Sequence, residues 1–179
     1  MNDAAGTGRP RMPDSGESDM TDSATADLYD AHGESLRVLE PGFQDFGGHL
    51  VFHGRVETVQ ALEDNSQVRE RLGEPGDGAV LVVDGGGSMR CALVGDNIAQ
   101  LAIDNGWAGI VVYGCIRDAA VIAEMAIGVK ALGTNPRKSV KRGGGVSGIE
   151  ILIDNVPVRP GDYLYADADG IVVAERELG

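Results

Sequence analysis

The sequence predicts an α/β domain built on a parallel βαβαβ core. Three apolar runs carry that expectation. Ala79-Val80-Leu81-Val82-Val83 is stopped by Gly85-Gly86-Gly87, Gly109-Ile110-Val111-Val112-Tyr113 by Gly114, and Ile127-Gly128-Val129-Lys130-Ala131-Leu132 by Gly133. Short apolar runs without polar alternation read as strands buried on both faces. Helical spacing separates them. Ile98, Leu101 and Ala102 recur at i, i+3, i+4 between the first two runs. Ile122 and Met125 share a face of Asp118–Met125 between the second and third. Strand and helix in alternation make the strands parallel and the crossovers right-handed.

The remaining elements follow in chain order. Residues 1–23 are rich in Gly, Pro, Ser, Asp and Thr without apolar periodicity, which predicts a disordered tail and a folded domain over 24–179. Thr25–Ala31 predicts a short helix. Leu50–Gln60 predicts one or two strands, with His53 on the polar face. Asn65–Leu72 predicts a helix whose Val68 and Leu72 stand at i, i+4. Asp96 is placed to cap the helix Asn97–Asn105, which Gly106 ends. Past residue 147 the pattern turns to β. Gly148–Ile153, Val156–Val158, Asp162–Ala166 and Ile171–Ala174 are split by the turn signals Asp154-Asn155, Pro160-Gly161 and Asp169-Gly170.

Composition excludes several function classes. A net charge of −13 argues against nucleic acid or an anionic membrane as partner, since both need a positive footprint. No apolar stretch approaches the ~18 residues of a membrane helix. The start lacks a basic region followed by an apolar one, so a cytoplasmic protein is expected. Cys91 and Cys115 lack C-x-x-C spacing and read as buried thiols. His32, His49 and His53 are too scattered for a zinc site. The one basic cluster, Arg137-Lys138-Ser139-Val140-Lys141-Arg142, reads as a solvated or subunit-contacting loop, with anion binding as the lesser alternative.

The chemistry-bearing residues gather at the expected carboxyl edge of the sheet, where open α/β folds bind ligands. Asp96 and the pair Arg117-Asp118 are separated by twenty residues, and both follow the glycine run 85–87. Two carboxylates can hold a hard divalent cation through oxygen. A fixed guanidinium can fork onto a carboxylate substrate. Backbone N–H groups of Asn97 and Ile98 at the helix start are expected to add anion stabilisation. Gly85, Gly86 and Gly87 are expected to let backbone approach the substrate closely. Lys130, inside an apolar run, is the candidate for the Schiff-base alternative.

Val82-Val83-Asp84-Gly85-Gly86-Gly87-Ser88 and Tyr113-Gly114-Cys115-Ile116-Arg117 resemble the family of the regulator of ribonuclease activity A (RraA). So do Phe46-Gly47-Gly48, Glu63-Asp64-Asn65 and Asp162-Tyr163-Leu164-Tyr165-Ala166-Asp167. The resemblance runs from about Thr25 to the C-terminus. It implies a β/β/α swivelling-type domain, a ring-shaped homotrimer that can pair into a hexamer, and sites at subunit boundaries. The family has two branches. One binds and inhibits an endoribonuclease. The other holds metal-dependent 4-hydroxy-4-methyl-2-oxoglutarate aldolases that also decarboxylate oxaloacetate. Enzyme members carry D-x20-R-D, matched here by Asp96, Arg117 and Asp118, whereas regulators typically lack one or both acids. The resemblance therefore implies a lyase acting on small 2-keto acids with Mg²⁺ or Mn²⁺. Asp118 would be the direct ligand, Asp96 would hold metal-bound water, and Arg117 would hold the substrate carboxylate and the enolate. A further acid supplied by a neighbouring subunit is implied, without a position in this chain.

Overall fold

The computed structural model describes residues 24–178; the expected tail over 1–23 lies outside them. Among the described residues there are four α-helices, α1 (Thr25–His32), α2 (Ser66–Leu72), α3 (Asp96–Asp104) and α4 (Ala119–Ile122). Twelve strands accompany them. The first six are β1 (Arg37–Val38), β2 (Gln44–Asp45), β3 (Phe52–Gln60), β4 (Val80–Asp84), β5 (Ala92–Val94) and β6 (Gly109–Ile116). The rest are β7 (Gly128–Thr134), β8 (Val146–Ser147), β9 (Ile151–Ile153), β10 (Val156–Val158), β11 (Tyr163–Ala166) and β12 (Ile171–Ala174).

The three predicted runs are β4, β6 and β7, paired in parallel, and β3 joins β4 in parallel as a fourth. Strand β3 is the hinge of the architecture. Its first half, Phe52–Arg55, pairs antiparallel with β11, and its second half, Val56–Gln60, pairs with β4. One curled mixed sheet results, ordered β1-β12-β11-β3-β4-β6-β7-β2.

Alternation along the parallel strands separates two cores, because successive side chains point to opposite faces. Leu81, Val83, Ile110 and Val112 face α2 and α3 in one cluster with Val68, Leu72 and Ala99. Val80, Val82 and Val111 face the hairpin β9–β10 in a second cluster with Ile151, Ile153 and Val158. Helices therefore cover one face of the sheet and β structure covers the other, the β/β/α layering that the resemblance implied. Helix α1 is tied to the C-terminal hairpin through Asp167, whose carboxylate accepts from Thr25 N and Thr25 Oγ1, both at 2.7 Å. Among the described residues no helix is long and apolar enough to cross a membrane.

Two expectations need correction, and one strand is new. The helix expected over Asp118–Met125 is only Ala119–Ile122, followed by turns. Gly47 and Gly48 run against that segment, Gly48 N donates to Met125 O at 3.0 Å, and a Cβ on Gly48 would stand 2.4 Å from that oxygen, so the chain there is pinned by the bend that follows β2. Asp96 is not the cap of α3 but its first residue; Gly95 caps it in extended conformation. Strand β5 went unread because its three residues are too few to show a period.

Candidate active site

Strands β5 and β6 lie parallel, Ala92 opposite Cys115 and Val94 opposite Ile116. That pairing brings the two distant motif halves to one place. β5 delivers Gly95 and Asp96 into α3, and β6 delivers Arg117 and Asp118 as it leaves the sheet. Arg117 N donates to Val94 O at 2.9 Å and fixes the two exits together.

Asp118 sits at φ 58°, ψ 34°, in the left-handed region. Asp tolerates that region better than most residues, but it still costs energy and tends to persist where the surroundings dictate it. The twist turns the carboxylate back over Gly95. Its Oδ2 lies 3.3 Å from Asp96 N and 3.4 Å from Arg117 Nε. A Cβ on Gly95 would sit 2.7 Å from Asp118 Oδ2 and 3.2 Å from Arg117 Nε, so only glycine leaves this contact undisturbed. Asp96 Oδ1 accepts from Asn97 N at 2.7 Å and Asn97 Nδ2 at 3.0 Å. Among the described residues nothing donates to Asp118 Oδ1 or Asp96 Oδ2.

Beside this pair opens a cleft of about 340 Å³, lined by Asp96, Asn97, Ile98 and Arg117 and walled by the basic loop. Asp64 holds that loop in place. Its Oδ2 accepts from Arg142 N at 2.8 Å and Gly144 N at 3.1 Å, while Oδ1 accepts from Ser66 N at 2.9 Å and Ser66 Oγ at 2.6 Å. The Ser66 hydroxyl bond, reinforced by the backbone donors, outweighs burial and lowers the Asp64 pKa to about 2. Ala92 N and Ser139 N complete the docking with bonds to Arg137 O and Ala92 O. Lys138 and Lys141 therefore line the cleft with Arg69 and Arg117. The loop read from sequence as solvated or subunit-contacting is exposed at Arg137, Lys138, Val140, Lys141 and Arg142, and through Lys138, Ser139 and Lys141 it also forms one wall of the cleft. Among the described residues Arg69, Lys138 and Lys141 make no ion pair. A chain of net charge −13 thus concentrates four cations around one hollow.

Other predicted groups fall elsewhere. The N–H groups of Gly85 and Gly87 both donate to Tyr113 O at 3.1 Å, and that of Gly86 to Asp84 Oδ1 at 2.9 Å. None of the three glycines lines the cleft, because β5 lies between their loop and α3; Gly86 faces a separate hollow beside Leu62 and Val146. Asn97 and Ile98 do line the cleft, but their N–H groups are engaged, to Asp96 Oδ1 and to Gly95 O at 3.1 Å. Capping one residue early gives Ile98 N a partner in the first turn. Lys130 is buried in β7 and paired with Asp45 at 2.7 Å, away from the cleft lining. His53 is exposed and stacks on Tyr165, ring centroids 5.6 Å apart. Cys91 and Cys115 are buried free thiols, and burial raises the pKa of each. Gly95 and Arg69 carry no site role in the sequence reading, and Asn65 and Ser139 enter it only within the Glu63-Asp64-Asn65 motif and the basic cluster, although all four line the cleft.

Two carboxylates and a guanidinium thus stand where parallel strands end, beside a cation-lined cleft, the edge at which open α/β sheets bind ligands. The RraA-like model, described as Aldolase/RraA, matches residues 25–173, and the chain belongs to that family. A protein of Alkalilimnicola ehrlichii named "Putative 4-hydroxy-4-methyl-2-oxoglutarate aldolase" is 58% identical over 86% of this chain and 96% of its own length. One of Laribacter hongkongensis with the same name is 56% identical over 88% and 99%. Solved structures share the fold, among them the two that follow. The RNA-processing inhibitor RraA from Thermus thermophilis is 44% identical with TM-score 0.84, covering 87% of this chain and 94% of its own. A Geobacillus kaustophilus protein described as an S-adenosylmethionine: 2-dimethylmenaquinone methyltransferase is 50% identical with TM-score 0.85, covering 87% and 96%.

Proposed function

We propose that the protein is a divalent-metal-dependent lyase that cleaves 4-hydroxy-4-methyl-2-oxoglutarate and related 2-keto acids, oxaloacetate included, to pyruvate. The observation that carries this reading is the adjacency of Asp96, Asp118 and Arg117 to a cleft bearing three further cations. Such a cleft suits a substrate with two carboxylates, and the names of the relatives supply the substrate class.

The donor set fits a hard cation. Asp118 Oδ1 and Asp96 Oδ2 are free oxygens at one strand edge. No group of three or more His, Cys, Asp or Glu gathers among the described residues. A two-acid site suits Mg²⁺ or Mn²⁺, which keeps several waters, better than zinc, which takes three or four protein ligands. Asp118 would hold the ion directly and Asp96 through water. When bound, the cation supplies Lewis-acid polarisation of the keto group.

The chain's own residues do the rest. Arg117 forks onto the C1 carboxylate and places positive charge where the enolate develops. The bond between C3 and C4 breaks, its electron pair passes into the C2 keto group, and the C4 hydroxyl loses its proton as C4 becomes a carbonyl. Asp96 takes that proton through water and returns one to C3, so both fragments of 4-hydroxy-4-methyl-2-oxoglutarate leave as pyruvate. With oxaloacetate, CO₂ leaves in place of the second fragment. Coupling pyruvate release to lactate dehydrogenase tests the reading with each substrate. Borohydride with pyruvate should trap no adduct; a trapped adduct on Lys130 would replace this mechanism with a Schiff base.

A second reading is favoured by the 44% identity to an RNA-processing inhibitor: a regulator that binds an endoribonuclease. Such a regulator would engage its partner through its outer surface and not through the metal ligands, so binding should persist in Asp118→Ala. Failure of wild type to bind a host endoribonuclease at low salt, where charge attraction is least screened, would remove this reading.

A further inference from the structure

Two buried polar atoms of the cleft wall have no partner among the described residues: Asn65 Oδ1 and Ser139 Oγ. Asn65 is 8% exposed and Ser139 6%, and both residues line the cleft together with Arg117. Buried polar groups in folded proteins are nearly always paired, because an unpaired one forfeits its hydration. The Asn65 orientation is fixed, since Nδ2 donates to Leu93 O at 3.1 Å and leaves Oδ1 as the free atom. An amide oxygen only accepts; a serine hydroxyl donates and accepts. The missing partner of Asn65 is therefore a donor, and that of Ser139 can be either. Lys138 and Lys141 flank Ser139, and Arg69 follows Asn65 one helical turn on. A hydroxyl beside a carboxylate satisfies the whole set at once.

We infer that Asn65 and Ser139 form a specificity subsite for a hydroxyl-bearing carboxylate. It receives the C4 hydroxyl and C5 carboxylate of the ligand while Arg117 holds the opposite end. This rests on the lyase reading above and deepens it: the subsite selects aldol substrates over oxaloacetate, which has no such hydroxyl. A site built to bond a hydroxyl rejects the analogue lacking it, because its buried groups are then left unpaired.

Calorimetry with malate and succinate, two diacids differing by one hydroxyl, tests the subsite without catalysis. Wild-type full-length protein with Mg²⁺ should bind malate about tenfold tighter than succinate. Ser139→Ala should abolish most of that preference without lowering Tm, since it removes an unpartnered polar atom. Its kcat/KM for 4-hydroxy-4-methyl-2-oxoglutarate should fall about tenfold, and clearly less for oxaloacetate, which has no hydroxyl to lose. Asn65→Ala should act in the same direction and additionally lower Tm, because the Leu93 bond is lost. Equal binding of malate and succinate by wild type, or binding of neither, overturns the inference, as does a Ser139→Ala variant that keeps the malate preference. A malate preference with no turnover of either keto acid would leave the subsite standing and remove the lyase reading.

Discussion

Gly95 shows how one residue type sets a site. Its missing Cβ is what lets Asp118 Oδ2 and Arg117 Nε close over the start of α3. The atoms that a Cβ would meet first belong to side chains, so Gly95→Ala should leave the fold intact and push the carboxylate and guanidinium aside. Misplacement near 1 Å can cost about 100-fold in rate, so kcat/KM should fall by roughly 10- to 100-fold with little change in Tm. Steady-state kinetics beside thermal melts separates this from a fold defect, which would lower both. Arg117→Lys keeps the charge and loses the fork. With a charge-assisted hydrogen bond worth about 1.5–3 kcal/mol, kcat/KM should fall by roughly 10- to 100-fold; unchanged kinetics would place the substrate carboxylate elsewhere.

Among the elements, the basic loop is the part whose position depends most on a single anchor. Asp64→Ala would leave the backbone donors of Ser66, Arg142 and Gly144 without their acceptor, a loss of about 1–3 kcal/mol, and would free Lys138 and Lys141 from the cleft. Stability should fall and KM should rise, with kcat less affected. The pH dependence follows from the same group. Its folded pKa is depressed to about 2 from 3.8, so its contribution is fully present above about pH 4 and is lost as pH falls towards 2. Acid melts of wild type and Asp64→Ala should therefore converge over that window, and a constant gap between them would contradict the assignment. This docking was not legible in the sequence. Asp64 and Arg142 lie 78 residues apart, and no local period links them. Helix α3 was legible because its apolar face repeats within nine residues, and β4, β6 and β7 because burial on both faces makes their sequences continuously apolar. The cleft's edge was legible through topology, since parallel strands end together, but its far wall comes from a loop that returns after β7.

At the scale of the whole molecule, a strongly acidic chain lines one cleft with four cations, Asp96 lines it too, and Asp118 stands next to Asp96. Asp118 is the residue on which the account turns. Asn tolerates the left-handed conformation as well as Asp does, so Asp118→Asn preserves the backbone and removes only the anionic ligand. The most direct test is to strip both proteins with EDTA, then follow pyruvate release from oxaloacetate and from 4-hydroxy-4-methyl-2-oxoglutarate as Mg²⁺ or Mn²⁺ is restored. The account predicts that wild type is silent after chelation, regains activity with metal beyond the rate of free metal alone, and that Asp118→Asn melts like wild type yet does not respond. Full activity in wild type under chelation, or full metal response in Asp118→Asn, would contradict it.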